Sequence, residues 1–431
     1  MKRSSQLSYG SVCISYQIRY NGRMRQILKQ TSYVFFAQSL TRVIGFFYVI
    51  YLAKTLGVSE FGLYTLALAY FSIISSIADF GFNRFLTREV AKDKSKSVEL
   101  LWNIIILRLT LTSVIFAIFA LALYSFDPMK MRVSLILLAT LSILPQAIAL
   151  TFDAIFVANQ KLQISAIALF VSSLAAASAG FILVGKGFGT MGAVYALMFG
   201  QIIYAVTLLT FLLKYEKLVF SRIDLSLLKE AIKGSLPYGL LGILGLLYFR
   251  VDTILLSYIK GSFETGIYGA AYKFLESITF IPSAFSLALF PILSKLHDSS
   301  IRDARKLYFK SLKVMIGLGV IVFLGYILIL PKVINIYLPN YLSSITAIKI
   351  LAISIPFMFA QGVTVSVLLS TDKYLKQVVL LSILTLIFNI TANIIFIPEF
   401  GFIGASWVTA LSELLSFIIF FFLTIKKVLK V

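Results

Sequence analysis

Of the chain's 431 residues, 59% are hydrophobic and 13% charged, and the mean hydropathy is +0.95. A soluble domain is nearer half apolar and a quarter charged, so this composition excludes a water-soluble globule and implies an all-α polytopic membrane protein. The net charge of +21 falls mostly in short segments between apolar runs, the topology signal of a membrane protein, and no nucleic-acid partner is expected.

Residues 1–30 form a basic segment with Lys2, Arg3, Arg19, Arg23, Arg25 and Lys29 and no cleavable apolar core. Its first part, 1–23, shows no periodicity and is expected to be disordered or not native. A hydrocarbon core of about 30 Å needs about 20 apolar residues in helix. Twelve runs reach that length, at approximately 31–54, 59–81, 99–124, 132–158, 162–185, 190–213, 234–260, 265–292, 306–330, 341–370, 374–397 and 402–425. Membrane strands would instead alternate over short segments.

Lys and Arg set the orientation. The segment after run 2 carries Arg84, Arg88, Lys92, Lys94 and Lys96, and that after run 6 carries Lys214, Lys217, Arg222, Lys229 and Lys233. The segment after run 8 holds Lys295, Arg302, Arg305 and Lys306, and the tail holds Lys426, Lys427 and Lys430. The other side has isolated residues such as Lys54, Lys130, Arg132, Lys186, Lys260 and Lys332. This bias places both termini in the cytoplasm of a cell membrane and requires an even number of spans. Twelve fits.

The gap between runs 1 and 2 reads GVSEFGLY, and the gap between runs 7 and 8 reads GSFETGIY. Both are G-x-x-E-x-G-x-Y, with Gly57, Glu60, Gly62 and Tyr64 answered by Gly261, Glu264, Gly266 and Tyr268. A second pair, FGTMGA at 188–193 and FGFIGA at 400–405, keeps nearly the same register. Two matches imply an internal duplication. Six spans per repeat is even, so the lobes should be related by a pseudo-twofold along the membrane normal. The parts are then the segment 1–30, an N-lobe over 31–213, a cytoplasmic linker over 214–233, a C-lobe over 234–425 and a tail over 426–431. The repeated turns are expected to serve loop geometry and packing.

The stretch RVIGFFYVIYLAKTLGVSEFGLYTLALAYFSIISSIADFGFNRFLTREVAK resembles the first hairpin of the Wzx-type polysaccharide-biosynthesis flippases. These belong to the multidrug/oligosaccharidyl-lipid/polysaccharide exporter superfamily. FRVDTILLSYIKGSFETGIYGAAYKFLESI resembles that family's seventh and eighth helices, and FGFIGASWVTALSELL the start of its last helix. The resemblance implies a two-lobed flippase, with twelve helices rather than the fourteen of some relatives. Such a protein carries a lipid-linked oligosaccharide, on an undecaprenyl or dolichyl carrier, from the cytoplasmic to the outer leaflet by alternating access. Membrane lipids and polymerase or glycosyltransferase machinery are the further partners it implies, with no cofactor.

Ionisable groups inside a membrane are costly and normally face a cavity or each other. Arg42 in run 1, Arg250 in run 7 and Lys273 in run 8 are therefore expected to line a cationic cleft for the pyrophosphate headgroup, which planar guanidinium donors suit. The alternative for these residues is structural pairing. Lys273 and Glu276 are three apart on one helix face; Asp252, two from Arg250, needs another partner; Glu413 is a candidate partner, and Asp252 or Glu413 a candidate for ion coupling. Arg108 is expected to snorkel, Asp79 and Asp153 to be solvated, and Gln38, Gln146, Gln201, Gln361, Asn389 and Asn393 to bond between helices.

One cysteine, Cys13, and one histidine, His297, leave no set for a Cys/His metal site or a Cys–His nucleophile. Short outer loops leave little room for an enzyme's catalytic domain, and no Walker-type motif occurs. The second functional class is a multidrug or cation antiporter of the same superfamily. Run 1 argues against it, with Arg42 its one charge before Lys54 and no carboxylate.

Overall fold

The computed structural model describes residues 37–216, 218 and 220–429. The segment 1–30, with its 1–23 extension and Cys13, lies outside the described residues, as do residues 31–36, Lys217 and Lys430. Among the described residues all regular structure is helical.

Among these residues nine helices are long and apolar enough to cross a membrane, and one bent pair adds a further crossing. Two of the nine, Leu162–Tyr215 and Leu375–Val428, run 54 residues each. Each is broken by a glycine in a conformation other residues rarely adopt: Gly189 at φ 54° and ψ −143°, Gly401 at φ 56° and ψ −135°. Divided there, the described chain holds twelve spans. They are α1 (Ala37–Leu56), α2 (Val58–Asp79), α3 (Ser97–Phe126), α4 (Lys130–Ala158), α5 (Leu162–Leu183) and α6 (Gly189–Tyr215). The second six are α7 (Leu225–Lys260), α8 (Ser262–His297), α9 (Ile301–Tyr337), the bent pair α10 (Ser344–Ala352 and Ile355–Leu369), α11 (375–400) and α12 (402–428).

Several boundaries differ from the sequence reading; α9, for one, spans Ile301–Tyr337 rather than 306–330. Helix α7 begins at Leu225 rather than 234, so the end of the 214–233 segment is helical. Asp224 caps it, accepting from Ser226 N at 2.7 Å. Between α2 and α3 an amphipathic helix, Phe82–Lys92, turns aside after the left-handed Phe80 and Gly81. It buries Phe82, Phe85, Leu86 and Val90 and holds Arg84, Arg88 and Lys92. Basic segments after α2, α6 and α8 share one end of the bundle, called the basic end below.

Helices α1–α6 form one lobe and α7–α12 the other, related by a pseudo-twofold along the membrane normal. The duplicated motifs lie on that relation. Within each lobe the motif glutamate reaches the broken turn of the last helix. Glu60 Oε2 accepts from Thr190 N at 3.1 Å and from the Thr190 hydroxyl at 2.5 Å, while Glu264 Oε2 accepts from Phe402 N at 2.7 Å. A carboxylate at a helix N-terminus meets unpaired N–H groups and the favourable end of the macrodipole.

The motif glycines then join the lobes. A Cβ at Gly62 would run into the Ser262 carbonyl, and one at Gly266 into the Val58 carbonyl. The two copies of one motif thus cross backbone to backbone where α2 meets α8, away from the basic end. Tyr64 and Tyr268 are buried behind the crossing.

Two further contacts hold the lobes at that end. Tyr341 donates to Ala53 O at 3.0 Å, and Tyr258 on α7 donates to Asp127 Oδ2 at 3.0 Å. Asp127 also accepts two bonds from Arg132, at 2.6 and 2.7 Å, while the guanidinium lies 4.4 Å from the Tyr258 ring centroid. Burial opposes the charge on Asp127, but the Arg132 and backbone bonds hold its carboxyl below its ordinary range. The larger cavities occupy the opposite, basic half.

Candidate substrate cleft

Three of the cations picked out in the sequence come from three helices. On α7, Arg250 Nη1 lies 2.6 Å from Glu276 Oε1. One turn before Glu276 on α8, Lys273 Nζ lies 2.8 Å from Glu276 Oε2. One carboxylate therefore bridges two cations, leaving a positive charge in excess, and Arg250 Nε is buried with no partner among the described residues. Arg42 on α1 makes no ion pair among the described residues; its guanidinium sits 5.1 Å from the Phe280 ring centroid.

Arg42, Lys273 and Glu276 share a cavity of about 160 Å³ between α1 and α8, walled otherwise by apolar side chains such as Phe46, Ile50 and Phe274. Glu276 also borders a second cavity of about 330 Å³, where Arg250 sits. Phe249 and Met358 carry that space into a third of about 530 Å³. Arg84, Phe249, Gln361 and Glu413 join the third to a fourth of about 560 Å³. The result is a row of adjoining hollows, from an apolar slot between the lobes, past the cation cluster, to a chamber with more polar lining toward the basic end.

Of the three carboxylates read as charge partners or coupling groups, the structure uses one for pairing. Glu276 holds Arg250 and Lys273. Asp252 does not pair with Arg250: it is fully buried and spent on hydroxyl and amide donors, with Thr253 N at 2.6 Å, the Tyr268 hydroxyl and the Thr409 hydroxyl at 3.4 Å. Residues two apart on a helix do not share a face, and α8 and α12 offer hydroxyls there instead. Glu413 is buried and makes no ion pair among the described residues; it lies beside the Tyr248 hydroxyl and faces the polar chamber.

Several smaller expectations change. Arg108 does not snorkel: it is 1% exposed, ion-paired with Asp79 and bonded to Ala147 O at 3.2 Å and the Thr151 hydroxyl at 3.0 Å. Asp79 is thereby engaged rather than freely solvated, and Asp153 faces the hydroxyls of Ser165 and Tyr204 inside the N-lobe. Among the amides, Gln146 accepts from Ser75 at 2.5 Å and Asn389 donates to Ser412 at 3.1 Å, both between helices. Gln361 donates to Ser416 at 3.0 Å, but its Oε1 is buried without a partner among the described residues.

Arg84 was missed as a cleft residue. In the sequence it belongs to a run of topology charges, and nothing local marks it out. The turn at Phe80 and Gly81 swings it into the chamber, where it makes no ion pair among the described residues and lies 5.7 Å from the Tyr238 ring centroid.

Comparison with known proteins agrees with this architecture. The family model described as polysaccharide biosynthesis protein matches residues 27–297. A probable flippase, AglR of Haloferax volcanii, is 26% identical over 175 residues, 40% of this chain and 37% of that protein. The chain matches less than half the length of the curated relatives found. Solved structures share the fold, among them these two. A multidrug resistance MATE family transporter of the MOP superfamily, inward-facing, superposes with TM-score 0.69 at 16% identity, over 88% of this chain and 94% of that one. The lipid II flippase MurJ, inward closed, gives 0.68 at 17% identity, over 91% of this chain and 87% of that one.

Proposed function

The chain belongs to the polysaccharide biosynthesis protein family, and on that premise we propose that it is a flippase for a lipid-linked oligosaccharide rather than an enzyme. The basic end faces the cytoplasm of a cell membrane, with both termini there, since cytoplasmic segments carry the Lys and Arg excess. The substrate enters from that leaflet, and rocking of the lobes delivers it to the outer one.

The observation that carries this reading is the charge count at mid-cleft. Arg42, Arg250 and Lys273 stand with one carboxylate, Glu276. That leaves two positive charges in a low-dielectric space, which suits an anionic pyrophosphate and disfavours a cation. Arg42 comes from one lobe and the other two from its counterpart, so a headgroup bound between them is held by both halves. The apolar slot between α1 and α8 suits the first isoprene units. Undecaprenyl and dolichyl pyrophosphates share these features, and polymerase or glycosyltransferase machinery is the expected source or recipient.

A second reading, export of organic cations, is favoured by the unpaired Glu413 carboxylate in the chamber. Proteoliposomes separate the two. A fluorescent polyprenyl-pyrophosphate glycan should cross with wild-type protein, and Arg42→Gln and Arg250→Gln should each slow it about tenfold or more, the cost of one charge-assisted contact. Uptake of a cationic dye with no glycan-lipid movement would replace this function with the exporter.

A further inference from the structure

The polar chamber beyond the cation cluster is larger than a pyrophosphate needs, and its walls have a different chemistry. Glu413 on α12 is 5% exposed, faces both adjoining cavities and is without an ion pair among the described residues. Gln361 on α10 lines the same two cavities, and its Oε1 has no donor among the described residues. Its amide nitrogen donates to Ser416 at 3.0 Å, leaving the oxygen as the end without a donor in this arrangement. Two buried acceptors thus stand on one wall with nothing donating to the amide oxygen, an arrangement that is costly until a ligand brings the donors.

A cation from the other lobe, on the same lining, decides what kind of donor. Arg84, without an ion pair among the described residues, borders the same two cavities. Its guanidinium offsets the Glu413 charge within the chamber and repels a cationic ligand. A neutral group rich in hydroxyl or amide N–H donors satisfies both: its donors meet Glu413 and Gln361 Oε1, and its oxygens can accept from Arg84. Phe249, common to three of the four cavities, supplies an apolar face between them.

We propose that this chamber is a saccharide subsite, in which Glu413 and Gln361 hydrogen-bond the sugar attached directly to the pyrophosphate. The inference rests on the flippase reading and extends it. The order of the hollows matches the order of groups in such a lipid: isoprene beside Phe46 and Phe274, phosphates at Arg250 and Lys273, then sugar at Glu413. A site built to bond hydroxyls rejects ligands that lack them far more strongly than an apolar pocket can, so these two residues set selectivity for the first sugar.

The test uses the full chain in nanodiscs and three probes: farnesyl pyrophosphate, farnesyl pyrophosphate bearing one N-acetylglucosamine, and tetraphenylphosphonium. Glu413→Gln and Gln361→Leu, on different helices, are each expected to weaken the glycosylated probe about tenfold and leave the sugar-free probe unchanged. Arg250→Gln should weaken both. Equal loss for both pyrophosphate probes in the Glu413 and Gln361 variants, or no loss in either, removes the subsite while leaving the flippase standing. Loss of tetraphenylphosphonium binding in those variants makes the chamber a cation site and overturns the proposal. Failure of the wild type to bind either pyrophosphate sinks the flippase reading, and the subsite with it.

Discussion

The two lobes share a frame and differ in what they carry. In both, a motif glutamate holds the broken turn of the last helix, and the two motifs cross at Gly62 and Gly266. Counting along α2 and α8 from those glutamates, Lys273 and Glu276 of the C-lobe stand opposite Ala69 and Ser72 of the N-lobe. Counted from the broken turns, Glu413 answers to Gln201; counted back from Gly57 and Gly261, Asp252 answers to Tyr48. The N-lobe contributes Arg42, four positions earlier relative to its motif than Arg250 is, one turn along the same helix face. Backbone crossings and helix breaks are geometric demands that each lobe meets alike. Under the proposed function, headgroup chemistry needs one constellation rather than two, and the C-lobe holds most of the charges proposed for it.

The sharpest way to break the comparison is at the charged positions. Glu276→Gln leaves Arg250 and Lys273 facing each other with no counter-charge, and should cost up to the ~3–5 kcal/mol of a buried pair broken on one side. Ser72→Ala, at the matching place in the N-lobe, removes a hydroxyl that returns to its own helix at Leu68 O, 2.7 Å away, and should be close to neutral. Thermal unfolding in detergent measures both. Equal losses would mean that the C-lobe cluster is ordinary packing.

The frame should respond symmetrically instead. Gly62→Leu and Gly266→Leu each push a side chain into the partner backbone, an overpacking cost of about 1–3 kcal/mol. The two losses should agree, and both should open the end where Tyr258 meets Asp127. A cysteine pair placed at residues 58 and 262 would then cross-link more slowly in each variant than in the unsubstituted background. A loss confined to one variant would show that the crossing is not shared.

How much of this was legible in the sequence follows the same division. Run length located the spans, because a bilayer sets one length for every crossing helix, and the duplicated turns gave the lobes because tight glycine geometry leaves little freedom. That Glu60 and Glu264 bind Thr190 and Phe402 was not visible, although both partner motifs were in view: the partners lie 130 and 138 residues from their glutamates, and no local period links them. The salt bridge from Arg250 to Glu276 and the capture of Asp252 by Tyr268 and Thr409 depend on how α7, α8 and α12 rotate against one another. Hydropathy is blind to rotation. Arg84 was hidden for another reason: a charge that orients a helix and a charge that lines a cleft look alike until the chain is seen to turn at Phe80.

The smallest expected effect probes where the frame itself departs from symmetry. Glu60 receives both the Thr190 N–H and the Thr190 hydroxyl, whereas Glu264 receives only the Phe402 N–H among the described residues. Replacing either glutamate by alanine strands a helix N-terminus and should cost about 0.5–2 kcal/mol, as loss of a cap does. Glu60→Ala also takes away the hydroxyl's shorter bond, leaving it the residue 60 carbonyl at 3.3 Å, so it should exceed Glu264→Ala by up to one hydrogen bond, ~1 kcal/mol. Adding Thr190→Val to Glu60→Ala removes the weakened hydroxyl altogether and should bring the two lobes level. If Glu264→Ala is the costlier change throughout, the caps are not equivalent, and the C-lobe depends on its turn for something beyond geometry, with Tyr268 and its bond to Asp252 the next residues to test.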